Sequence, residues 1–177
     1  MKIIDDFLSK DDFFNIQLAL ASQNFNWSFN NTIASANPNP DNFQFTHTFF
    51  TITNPYLEKQ QSNQSHILKP LLLKLQPQFI FRVKANLRPR THKHILSDFH
   101  TDYDLNQTTA IFYLNTCDGY TLFEDDTKVL SVANRILIFD GSLRHCGASC
   151  TDQKRRILIN FNYIPGSLPN NTVYIPS

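Results

Sequence analysis

The sequence has almost no excess of charge of either sign, with 16 lysine and arginine residues, 15 aspartate and glutamate residues and a net charge of +1. No broad electrostatic field is therefore available to recruit nucleic acid or an anionic membrane surface. Long apolar runs are also missing, so no segment predicts a membrane span. The opening MKIIDDFLSKDDFF carries acidic residues where a signal peptide would have an apolar run. We expect a cytoplasmic protein without a membrane partner, and a nucleic-acid partner is disfavoured.

Cysteine is scarce, with three residues at positions 117, 146 and 150. An odd count without an export signal argues against a disulfide framework. The segment HCGASC does bring His145, Cys146 and Cys150 close together in sequence, which makes a zinc site conceivable. Structural zinc usually takes four ligands in paired short spacings, and one such cluster is too few. We therefore disfavour a zinc site here.

Repeats, low-complexity tracts and a clear interdomain linker are also missing, so we expect one domain over residues 1–177. A helical opening over about residues 1–78 should precede a β-rich core over about residues 79–177. The Asn- and Pro-rich segment 30–42 is typical of a loop.

Two helices are predicted in the opening part of the chain. Ser9 and Asp12 have the spacing of a capping box, which favours a helix start at this point. Its buried face is expected to consist of Phe13, Phe14, Ile16, Leu18 and Leu20. A second helix is predicted over residues 65–76, with Ser65 as a possible cap and Pro70 inside the pattern.

From Phe79 onward the apolar residues form short runs bounded by turn residues, which predict strands. The runs are FIFRVKANLRP, TTAIFYLN, GYTLFED, TKVLSV, NRILIFDG and RRILINFNYI. Six or more short strands after two helices predict an α+β domain built on a jelly roll or a barrel-like sandwich.

The segment SDFHTDYD carries the pattern of a metal site. His100 and Asp102 are two residues apart, so on a strand both side chains would project from the same face and could share one ion. His145 follows the apolar run of RILIFDGSLRHCG and is the candidate third ligand. Two histidines and one carboxylate form the facial triad of non-haem iron(II) oxygenases, which leaves coordination positions open. A His-x-Asp alone is common by chance, so the wider pattern has to support it.

A basic pair opens the last strand, RRILINFNY, and a guanidinium there could bind a dicarboxylate through paired hydrogen bonds. Strand alternation places Arg155 and Arg156 on opposite faces. If Ile157, Ile159 and Phe161 pack against helices, then Arg156 faces the pocket, and we favour it over Arg155. The commoner meaning of the run KRR alone is a solvated basic patch.

Together, the pieces resemble the Fe(II)- and 2-oxoglutarate-dependent dioxygenases, in the prolyl 4-hydroxylase-like branch. The matching segments occur in the order NLRP, FHTDYD, TTAIFYLN, DGYTLFED, ANRILIFDGSLRHCG and RRILINFNY, and IIDDFLSKDDFF is also similar. The resemblance implies a double-stranded β-helix (jelly-roll) core with the N-terminal helices packed on one sheet. It also implies Fe(II) bound by His100, Asp102 and His145, with 2-oxoglutarate and O2 as cosubstrates.

The resemblance further suggests residues that bind the cosubstrate. It implies that a basic residue of the last strand, Arg156 or Arg155, holds the distal carboxylate of 2-oxoglutarate. Tyr113 aligns with a tyrosine that helps to bind this carboxylate in prolyl hydroxylases, and the alternative is a core aromatic. Arg88 stands where the family often has tyrosine, and could contact the cosubstrate, an acidic group of the substrate, or solvent. Leu158 replaces a small polar residue.

The function implied is hydroxylation of an unactivated C–H bond with release of succinate and CO2. The substrate expected from the resemblance is a side chain of a protein or peptide, prolyl among the possibilities. A small-molecule hydroxylase acting on an amino acid, a nucleobase hydroxylase and a non-catalytic jelly-roll binding module are the alternatives. Tyr103, Thr121 and the 30–42 loop are candidates for substrate contact, and Asp104 is expected to have no catalytic role.

Overall fold

Two antiparallel sheets form the body of the structure, a computed structural model that describes residues 1–31, 33, 42–52, 59–103 and 106–166. In the described residues the larger sheet contains β1 (Lys2–Ile4), β2 (Ser28–Asn30), β3 (Gln44–Ile52), β4 (Lys59–Gln61), β5 (Pro77–Pro89), β6 (Thr108–Tyr113), β9 (Ile136–Asp140) and β11 (Arg155–Pro165). The smaller sheet contains β7 (Tyr120–Phe123), β8 (Lys128–Leu130) and β10 (His145–Gly147).

The larger sheet has the strand order β1-β9-β6-β11-β5-β3-β2, with β4 paired to β3, and the smaller sheet has the order β10-β7-β8. β11 lies at the centre of the larger sheet, between β6 and β5, and its register aligns Arg156 with Arg88. All six strands predicted after residue 78 are present. β10 was not predicted as a strand, because its three residues lack an apolar alternation.

The apolar core has two parts, one on each face of the larger sheet. The first lies between this sheet and the helices, where Ile157, Ile159 and Phe161 of β11 pack with Ile16 and Leu71. The second lies between the two sheets and consists of Ile111, Tyr113, Phe123, Val129, Leu137, Phe139 and Leu158. The predicted α+β jelly roll with helices packed on one sheet is confirmed.

The first helix, α1 (Lys10–Ala21), begins as predicted at Ser9, whose Oγ accepts a hydrogen bond from the backbone N–H of Asp12. Its predicted buried face is partly wrong. Ile16 and Leu20 are buried, whereas Phe14 and Leu18 are 57% and 53% exposed. The core needs only a narrow stripe of this helix, and those two side chains lie outside it.

The helix predicted over residues 65–76 is two elements, a 3-10 turn (Ser65–Leu68) followed by α2 (Lys69–Leu75). Pro70 lies in the first turn of α2, where its missing N–H has no intrahelical partner to lose. Ser65 is not a cap, since the 3-10 turn begins after Gln64 without a side-chain hydrogen bond.

The prediction that residues 1–78 form a helical opening is wrong in one respect, because this part of the chain also contains β1 to β4. β3 lies inside the larger sheet and pairs with β5. Its sequence QFTHTFFTI is rich in threonine and phenylalanine, which favour strands. Neither helix of the described residues combines the length and the apolar character of a membrane span.

Candidate metal and cosubstrate site

The structure brings His100, Asp102 and His145 together at one end of the space between the sheets. The backbones of His100 and His145 form a two-way bridge, in which each N–H donates to the other's carbonyl at 3.0 Å. One ligand atom from each of the three side chains lies within 4.8 Å of the others. Asp102 follows in a bend and not in the strand that the i, i+2 pattern predicted. Convergence therefore depends on the bridge between two segments distant in sequence.

Backbone carbonyls fix how the two imidazoles present their nitrogens. Nδ1 of His100 lies 2.9 Å from the carbonyl oxygen of Asp98, and Nδ1 of His145 lies 3.1 Å from that of Leu143. Since a carbonyl oxygen can only accept, each Nδ1 carries the proton and each Nε2 keeps its lone pair for a ligand. Burial lowers the pKa of His145, which favours the neutral, metal-binding form.

Asp102 is held in its ionised form by residues of β5 and β11. Its Oδ1 accepts a 2.7 Å hydrogen bond from Nη2 of Arg82, and its Oδ2 accepts one of 2.9 Å from Nδ2 of Asn162. Burial alone would raise the pKa of Asp102, but the Arg82 charge and the Asn162 hydrogen bond lower it below its ordinary value. Arg82 also donates from Nε to Oδ1 of Asn162 at 3.1 Å, so the three side chains form one network.

This donor set fits a divalent metal such as Fe(II). It offers two neutral imidazole nitrogens and one carboxylate, which are the borderline and hard ligands that non-haem iron takes. Cys146 lines the neighbouring cavity but is not among the three residues whose ligand atoms converge.

A cavity of about 240 Å³ lies beside the three donors. Its wall carries four basic side chains, Arg82, Lys84, Arg88 and Arg156, and among the described lining residues one carboxylate, that of Asp102. The three basic residues of β5 recur at even spacing in FRVKANLRP, so strand alternation could have identified this common face from the sequence. Arg82 and Lys84 are therefore site residues that the metal and cosubstrate motifs do not include.

Arg156 lies in the cavity wall and Arg155 lies outside it. The buried guanidinium of Arg156 donates from Nε to Oγ of Ser131 at 2.6 Å and from Nη2 to Oγ1 of Thr121 at 3.2 Å. Arg155 is exposed and lies near Leu18 of α1, on the opposite face of the sheet. The alternative placement, with Arg155 as the pocket residue, is therefore wrong, because alternation along β11 turns it away.

Tyr113 and Arg88 support the wall of the cavity in different ways. Tyr113 is fully buried between the sheets, with its hydroxyl 2.9 Å from Oγ1 of Thr121 and its ring 5.5 Å from Cζ of Arg156. Arg88 faces the cavity and not solvent, and its terminal nitrogens donate to Gly147 O, Asn42 Oδ1 and Ile95 O at 2.6, 2.9 and 3.0 Å. These two residues therefore hold the surroundings of Arg156 in place.

The remaining individual residues that were predicted to contact cosubstrate or substrate lie in the wall of the cavity or at its edge. Thr121 and Leu158 line the cavity. Tyr103 lies at its edge, with its ring 5.9 Å from that of Phe81 and 5.3 Å from Cζ of Arg82. Asp104 and most of the 30–42 segment lie outside the described residues.

Searches with the sequence find no matching protein-family model and no matching curated protein. The fold, in contrast, is similar to several solved structures. A prolyl hydroxylase from Trichoplax adhaerens, in complex with a peptide of hypoxia inducible factor, has a TM-score of 0.58 at 16% identity, over 93% of this chain and 83% of that one.

Two further structures are similar over most of both chains. A Pseudomonas putida prolyl-4-hydroxylase has a TM-score of 0.53 at 13% identity, over 92% of this chain and 91% of that one. HygX from Streptomyces hygroscopicus, with nickel, 2-oxoglutarate and hygromycin B bound, has a TM-score of 0.56 at 10% identity, over 92% and 82%. The fold is therefore the jelly roll found in 2-oxoglutarate- and Fe(II)-dependent oxygenases, including prolyl hydroxylases.

Proposed function

We propose that the protein is an Fe(II)- and 2-oxoglutarate-dependent dioxygenase. The observation that carries the proposal is the position of the His100, Asp102 and His145 donors at the edge of a cavity whose wall contains the buried Arg156. A metal site alone would be compatible with many functions. A metal site beside a buried cation with no described acidic partner suits a ligand that chelates the metal and carries a second carboxylate at its far end.

In this proposal His100, Asp102 and His145 bind Fe(II), and Arg156 binds the distal carboxylate of 2-oxoglutarate. Ser131 and Thr121 orient the Arg156 guanidinium, and the Tyr113 ring lies beside it, 5.5 Å from Cζ. Arg82 and Asn162 keep Asp102 ionised and in one orientation. Arg88 is a positioning residue, because its terminal nitrogens are already bound to oxygens of the protein.

When bound, Fe(II) and 2-oxoglutarate supply the oxidative chemistry. One oxygen atom of O2 enters the new hydroxyl group and the other enters succinate, which forms as 2-oxoglutarate loses CO2. The protein contributes binding, orientation and exclusion of water. A general acid or base is not required from the chain, so Asp104 has no catalytic role in this proposal.

For the substrate, we propose a side chain of a protein or peptide, with proline as the first candidate. The two prolyl hydroxylases described above share this fold, and one of them was solved with a peptide. A free small molecule is the main alternative, because HygX has the same fold and was solved with hygromycin B. The near-zero net charge makes a nucleobase in DNA or RNA the weaker alternative.

The test of the reaction class is an anaerobic titration of metal-free protein with Fe(II) and 2-oxoglutarate, monitored by the visible metal-to-ligand charge-transfer band. The wild type should develop the band, and His100→Ala should not. Arg156→Ala should shift the 2-oxoglutarate titration to a higher concentration. Arg155→Ala is the matched control, since it removes the neighbouring, exposed guanidinium.

An absent band in folded, Fe(II)-loaded wild type would favour the non-catalytic module. Equal weakening by Arg155→Ala and Arg156→Ala would contradict the assigned role of Arg156. With the band established, succinate formation should be compared between proline-containing peptides and free amino acids. Turnover that needs the peptide would support the proposed substrate class, and turnover with free amino acids alone would contradict it.

A further inference from the structure

A second group of potential metal ligands lies behind Arg156, away from the cavity. Cys117 lies in the connection between β6 and β7, and Cys150 and Asp152 lie in the connection between β10 and β11. One ligand atom from each of the three lies within 4.8 Å of the others. Both cysteines are buried, whereas Asp152 is exposed. The two thiols therefore face one another inside the protein, with a carboxylate on the solvent side.

This group differs from the zinc pattern visible in the sequence. HCGASC suggested His145, Cys146 and Cys150 as neighbours, but His145 lies with His100 and Asp102. Cys150 instead meets Cys117, which is 33 positions earlier in the chain. The fold thus separates the adjacent candidates and joins two distant ones.

Hydrogen bonds already hold the two connections in one arrangement. The backbone N–H of Asp118 donates to Oδ1 of Asp152 at 3.0 Å, and the backbone N–H of Thr151 donates to Oδ1 of Asp118 at 2.7 Å. The N–H of Cys117 donates to the carbonyl oxygen of Ser131 at 3.1 Å. The ligand atoms therefore lie on fixed loops, which reduces the ordering that a metal would have to impose.

The distances suit a small tetrahedral ion. Zinc–sulfur bonds of about 2.3 Å place two sulfur ligands roughly 3.8 Å apart in a tetrahedron. The 4.8 Å limit that encloses the three donors exceeds this by about 1 Å, which side-chain rotation can close.

The charges are also complementary. Two thiolates and one carboxylate around a divalent ion carry a net charge of −1, and Arg156 is a buried cation that interacts electrostatically with both sulfurs. Its Nε donates to Ser131, whose side chain also contacts the thiol of Cys117. The positive charge of Arg156 therefore compensates the net negative charge of the metal-loaded group.

We propose that Cys117, Cys150 and Asp152 form a second metal site, which takes a thiophilic divalent cation of the Zn(II) type and leaves its fourth position to solvent. Thiolate sulfur selects such ions over the hard cations, and the exposed side of Asp152 admits a water ligand. The bound ion would connect the two loops that enclose Arg156. This site shares no residue with the oxygenase site, so the two proposals stand or fall separately.

The experiment is a titration of reduced, metal-free protein with Co(II), monitored by the near-ultraviolet thiolate-to-Co(II) charge-transfer absorption. It is done in the wild type and in His100→Ala, which weakens the other metal site. His100→Ala should develop the absorption with one equivalent of Co(II), the wild type should develop it fully by two equivalents, and Zn(II) should abolish it in both proteins. Cys117→Ser and Cys150→Ser should lose it. Cys146→Ser is the matched control, because Cys146 is equally buried but lies outside the group, and it should keep the absorption.

Asp152→Asn should shift the Co(II) titration to at least about tenfold higher concentration, since the loss of even an outer-shell partner of a metal ligand has this effect. Several outcomes would overturn the proposal. These are no absorption in folded, reduced wild type, an absorption that survives Cys117→Ser or Cys150→Ser, or its loss in Cys146→Ser. The proposal would also be overturned if protein isolated without reductant contained a Cys117–Cys150 disulfide.

Discussion

Replacement of Arg156 by methionine should stabilise the metal-free and ligand-free protein. Arg156 is 3% exposed and has no carboxylate within ion-pair distance among the described residues. Arg88 is its neighbour. A Cβ atom at Gly147 would lie 3.4 Å from Nη1 of Arg156 and 3.8 Å from Nη1 of Arg88, so these nitrogens are at most about 7 Å apart. At an effective dielectric constant of about 20, two unit charges at that distance repel by about 2 kcal/mol.

The substitution should leave few polar groups without partners. After the substitution, Oγ1 of Thr121 still has the Tyr113 hydroxyl as a hydrogen-bond partner at 2.9 Å. The Ser131 side chain still contacts the thiol of Cys117. Methionine is flexible enough to fill the channel of the arginine side chain. Replacement of a buried ion pair by apolar residues of similar size is often neutral or stabilising by about 1–4 kcal/mol, and removal of Arg156 leaves no described partner charge unpaired. We expect about 1–2 kcal/mol, which corresponds to a rise in Tm of roughly 2–8 °C for a chain of this size.

The same variant should lose the stabilisation that the ligand provides. A ligand at 100 times its Kd stabilises the native state by about 2.7 kcal/mol, and this gain should appear in the wild type with a redox-inert divalent metal and 2-oxoglutarate. Differential scanning calorimetry with and without both ligands measures the two effects together. Without ligands, Arg156→Met should have a higher Tm than the wild type. When both ligands are added, its Tm should rise less than that of the wild type.

Arg88→Met is the matched control, since it removes a neighbouring buried guanidinium of the same charge. Its terminal nitrogens donate to Gly147 O, Asn42 Oδ1 and Ile95 O, so its removal breaks three hydrogen bonds to the protein. We expect Arg88→Met to lower the Tm of the ligand-free protein. If Arg156→Met lowers it as well, then Arg156 stabilises the ligand-free fold, and the view that it is held for an anionic ligand is wrong.

Three further predictions follow from other contacts. Gly119→Ala would place a Cβ atom 2.7 Å from Cδ of Arg156 and should displace that side chain. The charge-transfer titration should therefore show roughly tenfold weaker 2-oxoglutarate binding, and an unchanged affinity would contradict the role of Arg156. In Asp5→Asn, loss of the two hydrogen bonds from Arg135 should lower stability by at most about 1 kcal/mol at pH 7. The Arg135 hydrogen bond lowers the pKa of Asp5 below 3.8, so this difference should disappear as the pH falls below 3.8, and a pH-independent difference in urea unfolding would refute it. Ser9→Ala should lower stability by about 1 kcal/mol through loss of the α1 cap, and an unchanged urea midpoint would contradict this.

Strand periodicity explains why much of the fold was predictable. Along β11, Ile157, Ile159 and Phe161 alternate with Arg156 and Leu158, and the structure places the two sets on opposite faces. A period of two needs only the local sequence, so each strand after residue 78 could be identified by itself. The same period separates Arg155 from Arg156, once it is known which face packs against the helices.

The rest depends on contacts between distant parts of the chain, which local patterns do not contain. The Arg82–Asp102 ion pair joins a strand to a bend, and the meeting of Cys117 with Cys150 needs two loops to approach. The exposed side of α1 is a similar case. Phe14 belongs to the apolar residues that the sequence predicts for the buried face of α1, but it lies on the side of the helix that is turned to solvent.

The charge of the cavity could likewise not be predicted from the composition of the chain. A net charge of +1 determines only the field far from the molecule, and opposite charges that cancel over the whole chain need not cancel in one place. β5 directs Arg82, Lys84 and Arg88 to one face, and its register with β11 adds Arg156. Burial and the nearby Arg82 charge both lower the pKa of Lys84, as expected in a positive, poorly solvated cavity. An anion with two separated negative charges would relieve this repulsion, which is the physical reason to expect a dicarboxylate in a protein whose overall charge suggests no anionic ligand.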